Sequence, residues 1–383
     1  MKIIFLVNRF PPYVGGIPIR AHRIAKGLSK RGHEITVYTS THPQAPDVQR
    51  INGMKIERKY FLEPFAVRLK KTPAEIHGLS RLLEDKEIQE ADILQSFHHL
   101  SFASLIAAAL KLVRRKVFTL LPTFLPIYYG GWSLVLYRLT LGNMIIKYAD
   151  FLMPETSFEK SCLLRQGVPS DRIKVIPNTI DPDDYKQLPD PMIFRKKYNI
   201  NNDERIVLFV GLPSFPKGLH HLVLAMHKVL TKIRKAKLVI VGPKMTLAER
   251  LLRDLGSTNL REHTLITGSL TGKPLASAYS AADVLVLPTM IETFGMVMLE
   301  AAAAGLPLVC TKTGIAPDIV VDGKNGVFVK FGKVNQISDA IIEVLTDGNF
   351  KREAEKRKNL ILKNYNNKNE IDLYEKTYLR LIR

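Results

Sequence analysis

Residues 282–305 read ADVLVLPTMIETFGMVMLEAAAAG, and the order of residue types within them decides the fold. Ala282 to Leu287 is a nearly uniform apolar run, the composition of a parallel strand buried on both faces. Pro288 ends it. An acidic loop follows, then a helix with an interior of Met, Val, Leu and Ala, closed by Gly305 and Pro307. Thr293 is the expected cap of that helix. Glu292 stands just before the helix and Glu300 lies eight positions on. At ~100° per residue the two carboxylates are off a single face, which suits one extended ligand better than a paired acid and base. The N–H groups of Phe294, Gly295 and Met296 are expected to point out of the helix start, where the dipole favours an anion. A phosphate held there is compatible with two flanking carboxylates only if both are engaged by hydroxyls.

The same strand and helix rhythm extends in both directions. On the near side, Arg205–Val210 is a strand, Gly211–Gly218 a loop carrying Lys217, and His220–Leu230 a helix. The strands Lys237–Val241 and Leu265–Thr267 follow, with a loop at Gly268–Leu275. At the start of the chain, Lys2–Val7 is a strand, Asn8–Ile17 a loop with Gly15 and Gly16, Ile19–Lys30 an amphipathic helix and Glu34–Thr39 a second strand. The two glycines lie at the carboxyl end of the first strand, where open α/β sheets bind ligands, and let a ligand approach the backbone closely. By themselves they are also compatible with a tight loop, since the GxGxxG spacing is absent. Further strands are read at Met54–Arg58, Ala91–Phe97 ahead of His98 and His99, Lys116–Leu121, Phe151–Met153 and Ile173–Asp181. The polar groups after Ala91–Phe97 and Lys116–Leu121 are expected to face the same cleft as the glycines, and Glu155, Thr156 and Ser157 stand at the carboxyl end of Phe151–Met153. Asp181–Pro191, dense in Asp and Pro, marks a boundary between two α/β domains, residues 1–180 and 181–363. The tail from Asn349 reads as helical, and a helix over about 364–383 is expected to pack back on the first domain.

Composition narrows the function. A chain of 383 residues with 46% hydrophobic residues has enough material for two cores. Cys162 and Cys310 alone cannot form a disulfide framework or a metal set, so a reducing cytoplasm and no metal are expected. The first seven residues are too short for a secretory core, and the apolar stretch Phe124–Ala149 is broken by Gly130, Gly131, Arg138, Asn143 and Lys147. The net charge of +20 is spread over both halves. That pattern favours anionic substrates or an anionic membrane surface over nucleic acid, for which no motif is present. Phe61–Lys71 mixes aromatic and basic residues and reads either as a solvated face over core contacts or as a surface that docks an acceptor or the inner face of a membrane.

In order along the chain, PPYVGG (11–16), RGHEITVYT (31–39), VIPNTID (175–181), AYSAADVLVLP (278–288) and IETFGMVMLEAAAAGLP (291–307) resemble the retaining glycosyltransferases of family 4. The resemblance spans nearly the whole chain and implies the GT-B fold, two Rossmann-like domains facing across a cleft. It also implies a nucleoside-diphosphate sugar such as a UDP-sugar as donor, a hydroxyl acceptor (lipid-linked, glycan or small molecule), and no cofactor. On the matching positions, Glu300 is expected on the ribose hydroxyls and Glu292 on the transferred sugar. The amides of Thr293, Phe294, Gly295, Met296 and Val297 would surround the diphosphate, with Lys217 as its cation. Gly15 and Gly16 belong to the loop over the phosphates, and Ser269 and Leu270 to the loop along the base.

Two departures bear on catalysis. Leu212 stands where the family usually has an arginine, leaving Arg9 or Lys312 as replacements, and TLLPTF (119–124) lacks the family's usual histidine, which leaves His98 or His99. Asp318 is a milder change. The catalytic set expected from the resemblance is Glu292, His98 and Lys217. The competing readings are a non-catalytic nucleotide-sugar-binding or regulatory protein and a sugar-nucleotide epimerase of the same fold.

Overall fold

Short β-branched runs joined through amphipathic helices can bury both faces only as a parallel sheet between helical layers. The computed structural model describes residues 1–13, 15–58, 84–124, 138–243, 245–255 and 257–383. They form two units: Met1–Asn178 together with Asn367–Arg383, and Thr179–Asn366. The Phe61–Lys71 cluster and most of the Pro122–Gly131 loop lie outside the described residues.

The first unit contains β1 (Lys2–Leu6), β2 (Glu34–Thr39), β3 (Val48–Ile51), β4 (Met54–Arg58), β5 (Ile93–Phe97), β6 (Val117–Leu121) and β7 (Phe151–Leu152). Their order is β3-β4-β2-β1-β5-β6-β7, parallel throughout except for the β3–β4 hairpin. The order reverses between β1 and β5, so the loops after these two strands open a crevice. The second unit contains β8 (Arg205–Val210), β9 (Ala236–Val241), β10 (Thr264–Gly268), β11 (Val284–Leu287), β12 (Leu308–Thr311) and β13 (Gly326–Val329). They are ordered β10-β9-β8-β11-β12-β13, all parallel, and the order reverses between β8 and β11.

The first sheet has an apolar cluster on each face, and one of them includes Tyr374 and Tyr378 from the helix Asn367–Leu381. That helix packs on Gly16–Ser29, where a Cβ on Gly27 would come within 2.5 Å of Ile371 Cδ1. Charges reinforce the contact. Arg20, 3% exposed, donates to Glu155, to Glu370 Oε1 at 2.7 Å and to the Ile176 carbonyl at 2.7 Å. Arg23 Nε donates to Glu370 Oε2 at 2.9 Å, and Arg31 and His33 both meet Glu375.

Here one expected strand is absent, and other residues take defined places. Glu155 is consumed by Arg20, and the Thr156 hydroxyl caps the helix Ser157–Arg165 by accepting from Glu159 N, so these residues support the fold. Ile173–Asp181 is not a strand: it makes single bridges from Ile173 to Leu152 and from Ile180 to Asn366, with Pro177 between them. The tail is two helices, Asn349–Asn364 and Asn367–Leu381. No helix among the described residues is long and apolar enough to cross a membrane.

Candidate functional site

The second unit gathers its polar groups where its strand order reverses. After β8 the chain runs through Gly211–Ser214 into a single turn of tight helix, Phe215–Lys217, and ends it at Gly218 with φ 72°. A Cβ at Gly218 would sit 2.1 Å from the Pro288 carbonyl oxygen, so only glycine lets this loop touch the loop after β11. Two hydrogen bonds hold the contact: Met290 N donates to the Pro216 carbonyl at 2.7 Å, and the Thr289 hydroxyl to the same oxygen at 2.9 Å. The result is an ion pair between Lys217 Nζ and Glu292 Oε1. Lys217 keeps 31% of its side chain exposed and Glu292 11%.

The helix after β11 is Met296–Ala303, and its cap is Gly295 in the left-handed region (φ 89°), without a side-chain hydrogen bond. Thr293 is therefore not the cap. Phe294, buried, anchors the turn by accepting Ile315 N at 2.7 Å through its carbonyl, and the Thr313 hydroxyl accepts Glu292 N at 3.2 Å. Gly314 is obliged to be small, since a Cβ there would lie 2.4 Å from the Phe294 oxygen. Met298 N already bonds the Gly295 carbonyl at 2.9 Å, which leaves the amides of Gly295, Met296 and Val297 as the donors of the helix start. They follow directly on the Lys217–Glu292 pair, so a positive helix end and a cation meet at one place.

Glu300 lies one side of this turn and has a partner that the sequence did not suggest. Tyr279 OH, from the helix Lys273–Ala281, donates to Glu300 Oε2 at 2.8 Å. Burial pushes the Glu300 carboxyl above its ordinary range, and the Tyr279 hydrogen bond acts in the opposite direction. Tyr279 itself is held well above the usual phenol value by burial and by the neighbouring charge of Glu300. Of the loop expected along a base, Ser269 is exposed after the left-handed Gly268, while Leu270 packs toward the helix Pro191–Lys197. Leu212 is 38% exposed. Lys312, also exposed, has Nζ 5.5 Å from the Phe328 ring centroid.

The remaining predicted residues belong to the first unit. Gly15 is in extended backbone (φ 165°) and precedes the helix Gly16–Ser29, so Gly16 is the first residue of a helix. A Cβ on Gly16 would meet nothing within 4 Å, and the space in front of it is open. His98 ends β5 in the left-handed region (φ 69°), with Nδ1 accepting Leu100 N at 3.2 Å. Its neighbour His99 is buried, bonded through Nδ1 to the Pro122 carbonyl at 2.8 Å. Asn8 joins the two loops of this crevice by accepting Ala103 N at 3.1 Å. Among the described residues no three His, Cys, Asp or Glu side chains come together as a metal site.

The geometry can be set beside known proteins. The glycosyltransferase family 4 model matches residues 14–184 and the glycosyl transferases group 1 model residues 192–367. An uncharacterized glycosyltransferase of Methanocaldococcus jannaschii is 28% identical over 92% of this chain and 90% of its own. A GDP-mannose-dependent alpha-(1-6)-phosphatidylinositol monomannoside mannosyltransferase of Mycobacterium tuberculosis is 26% identical over 90% and 89%. Among solved structures, Anabaena HepE in complex with UDP shares the fold with a TM-score of 0.77 at 18% identity, covering 98% of this chain and 99% of that one. Two family models in sequence order, one on each half, together with a shared fold, mean that the chain belongs to the group 1, family 4 glycosyltransferases of GT-B fold.

Proposed function

We propose that the protein moves a sugar from a nucleoside-diphosphate sugar to a hydroxyl of a lipid-linked, glycan or small-molecule acceptor, with retention at the anomeric carbon and without a metal. The observation that carries this reading is the cluster at the β8–β11 reversal: a cation, three helix-start amides and two separated carboxylates within one short stretch of loop and helix. In this reading Glu300, fixed by Tyr279 through one oxygen, accepts the ribose hydroxyls with its remaining lone pairs. The diphosphate takes Lys217 and the amides of Gly295, Met296 and Val297, and Glu292 turns to the hydroxyls of the sugar. As the glycosidic bond breaks, negative charge grows on the diphosphate, where Lys217 and the helix start are already oriented to stabilise it. His98, Gly15 and Gly16 serve the same reaction from the first unit in this proposal. The relatives' donors, GDP-mannose for the mycobacterial enzyme and UDP in the HepE complex, support a nucleotide sugar of either base.

A thermal-shift screen of UDP-, GDP- and ADP-sugars identifies the donor, and calorimetry on Glu300→Ala tests the site. Loss of nucleotide-sugar binding is expected; binding at wild-type affinity overturns the assignment. The exposed Leu212 favours a second reading, a binder without transferase activity. Turnover of any sugar nucleotide by the purified protein excludes it. Peripheral membrane contact, proposed from the basic balance of the chain, predicts co-flotation with anionic liposomes at low salt.

A further inference from the structure

The helices Pro191–Lys197 and Lys273–Ala281 pack side by side in the second unit. Beside their contact opens a cavity of about 300 Å³, at the small end of ligand pockets. Ile193, Phe194 and Tyr198 form one wall, and Leu270 with Pro274 forms the other. Phe194 and Tyr198 are one turn apart with ring centroids at 4.7 Å, so the floor is aromatic and stiff. Ile193 sits at the mouth and is 58% exposed, an apolar side chain left in water.

Two exposed lysines line the same cavity through their carbon stems. Lys197 stands one turn after Ile193 on the same helix face, and Lys273 directly precedes Pro274. Neither forms an ion pair with a described residue, and no acidic side chain lines the cavity. Lys197 Nζ instead lies 5.2 Å from the Tyr198 ring centroid. The cavity surface is almost all carbon, so it is poorly suited to the edges of a nucleobase. A carbon-lined slot with an aromatic floor and two uncompensated ammonium groups matches a ligand that is apolar at one end and negative at the other.

We propose that this cavity binds a fatty carboxylate, its acyl chain against Ile193, Phe194 and Leu270 and its head group between Lys197 and Lys273. The site shares Leu270 with the loop expected along the base and contains neither Lys217 nor Glu292.

The probe is dodecanoate, titrated below its micelle concentration into the full chain by calorimetry, with dodecyltrimethylammonium as the control of equal chain length and opposite charge. One saturable site for dodecanoate is expected, with the cationic amphiphile about ten-fold weaker or worse. Lys197→Glu with Lys273→Glu should weaken dodecanoate by about ten-fold or more. Lys232→Glu with Lys351→Glu makes the same change in net charge on two exposed lysines outside the lining and should leave affinity within about two-fold. Ile193→Asp, a substitution at an exposed position, should abolish binding while the circular dichroism spectrum stays as in wild type. Equal binding of the two amphiphiles, equal damage from both lysine pairs, or complete displacement of dodecanoate by UDP would each overturn the proposal.

Discussion

The loops after β1 and β5 in the first unit occupy the same place in their sheet as those after β8 and β11 in the second. The chain uses its charges differently in the two. In the first unit Arg20 is enclosed by Glu155, Glu370 and the Ile176 carbonyl, and Asn8 and His99 bond backbone groups of neighbouring loops. Those groups hold helices and loops in position. In the second unit Lys217 and Glu292 bond each other at the surface of their crevice, next to amides that the helix itself cannot satisfy. A charge that supports the fold is boxed in by partners from several elements, whereas the charges proposed for a ligand are held by few. Partner number, more than residue type, separates the two kinds.

The sharpest way to break this comparison is Arg20→Met. It leaves the buried Glu155 without its cation and Glu370 paired to Arg23, and unfolding by urea should show a loss of about 3–5 kcal/mol. A loss below about 1 kcal/mol would mean that the cluster is not structural. Lys217→Ala should do the reverse, lowering kcat by about 10²–10³-fold as a lost charge-stabilising donor does, while stability moves by about 1 kcal/mol or less. Tyr279→Phe removes only the hydroxyl on Glu300. Nucleotide-sugar affinity measured by calorimetry should fall by about 1 kcal/mol, with the fold intact.

The smallest effect concerns Glu300 and pH. Its carboxyl is raised in the folded chain, so the folded state is favoured while the group is protonated, and that contribution is lost as pH rises through the folded value. Glu300→Gln cannot ionise. In the absence of nucleotide it should therefore melt above wild type at pH 7.5, and the gap should close as the pH is lowered below the ordinary carboxylate range. A gap independent of pH would show that the carboxylate carries no burial cost.

Much of this architecture is legible in the sequence because parallel strands leave continuous apolar runs. RIVLFV and VLVL can hardly be anything else between helical patterns. The β3–β4 hairpin is readable too: Asn52-Gly53 is a strong two-residue turn signal, and both residues have positive φ. IKVIPNTID has the composition of a strand, yet it forms only isolated bridges, because pairing depends on neighbours that composition does not report. Thr293 lost the cap to Gly295 because the chain needs a left-handed residue there, and glycine takes that conformation without strain. The pairing of Tyr279 with Glu300, and of Arg20 with a glutamate 350 positions away, joins separate elements, and no local pattern encodes it.

The return of Asn367–Leu381 to the first unit has a consequence for how the protein is made. Residues 179–366 form their unit from one continuous piece of chain, whereas Met1–Asn178 lacks a wall of its core until the later helix is available. The unit that starts the chain therefore depends on residues made late. The unit encoded first must wait with Ile24, Leu28 and the Arg20 guanidinium uncovered until Glu370, Tyr374 and Tyr378 emerge. During that interval the nascent chain presents a surface for chaperones to shield.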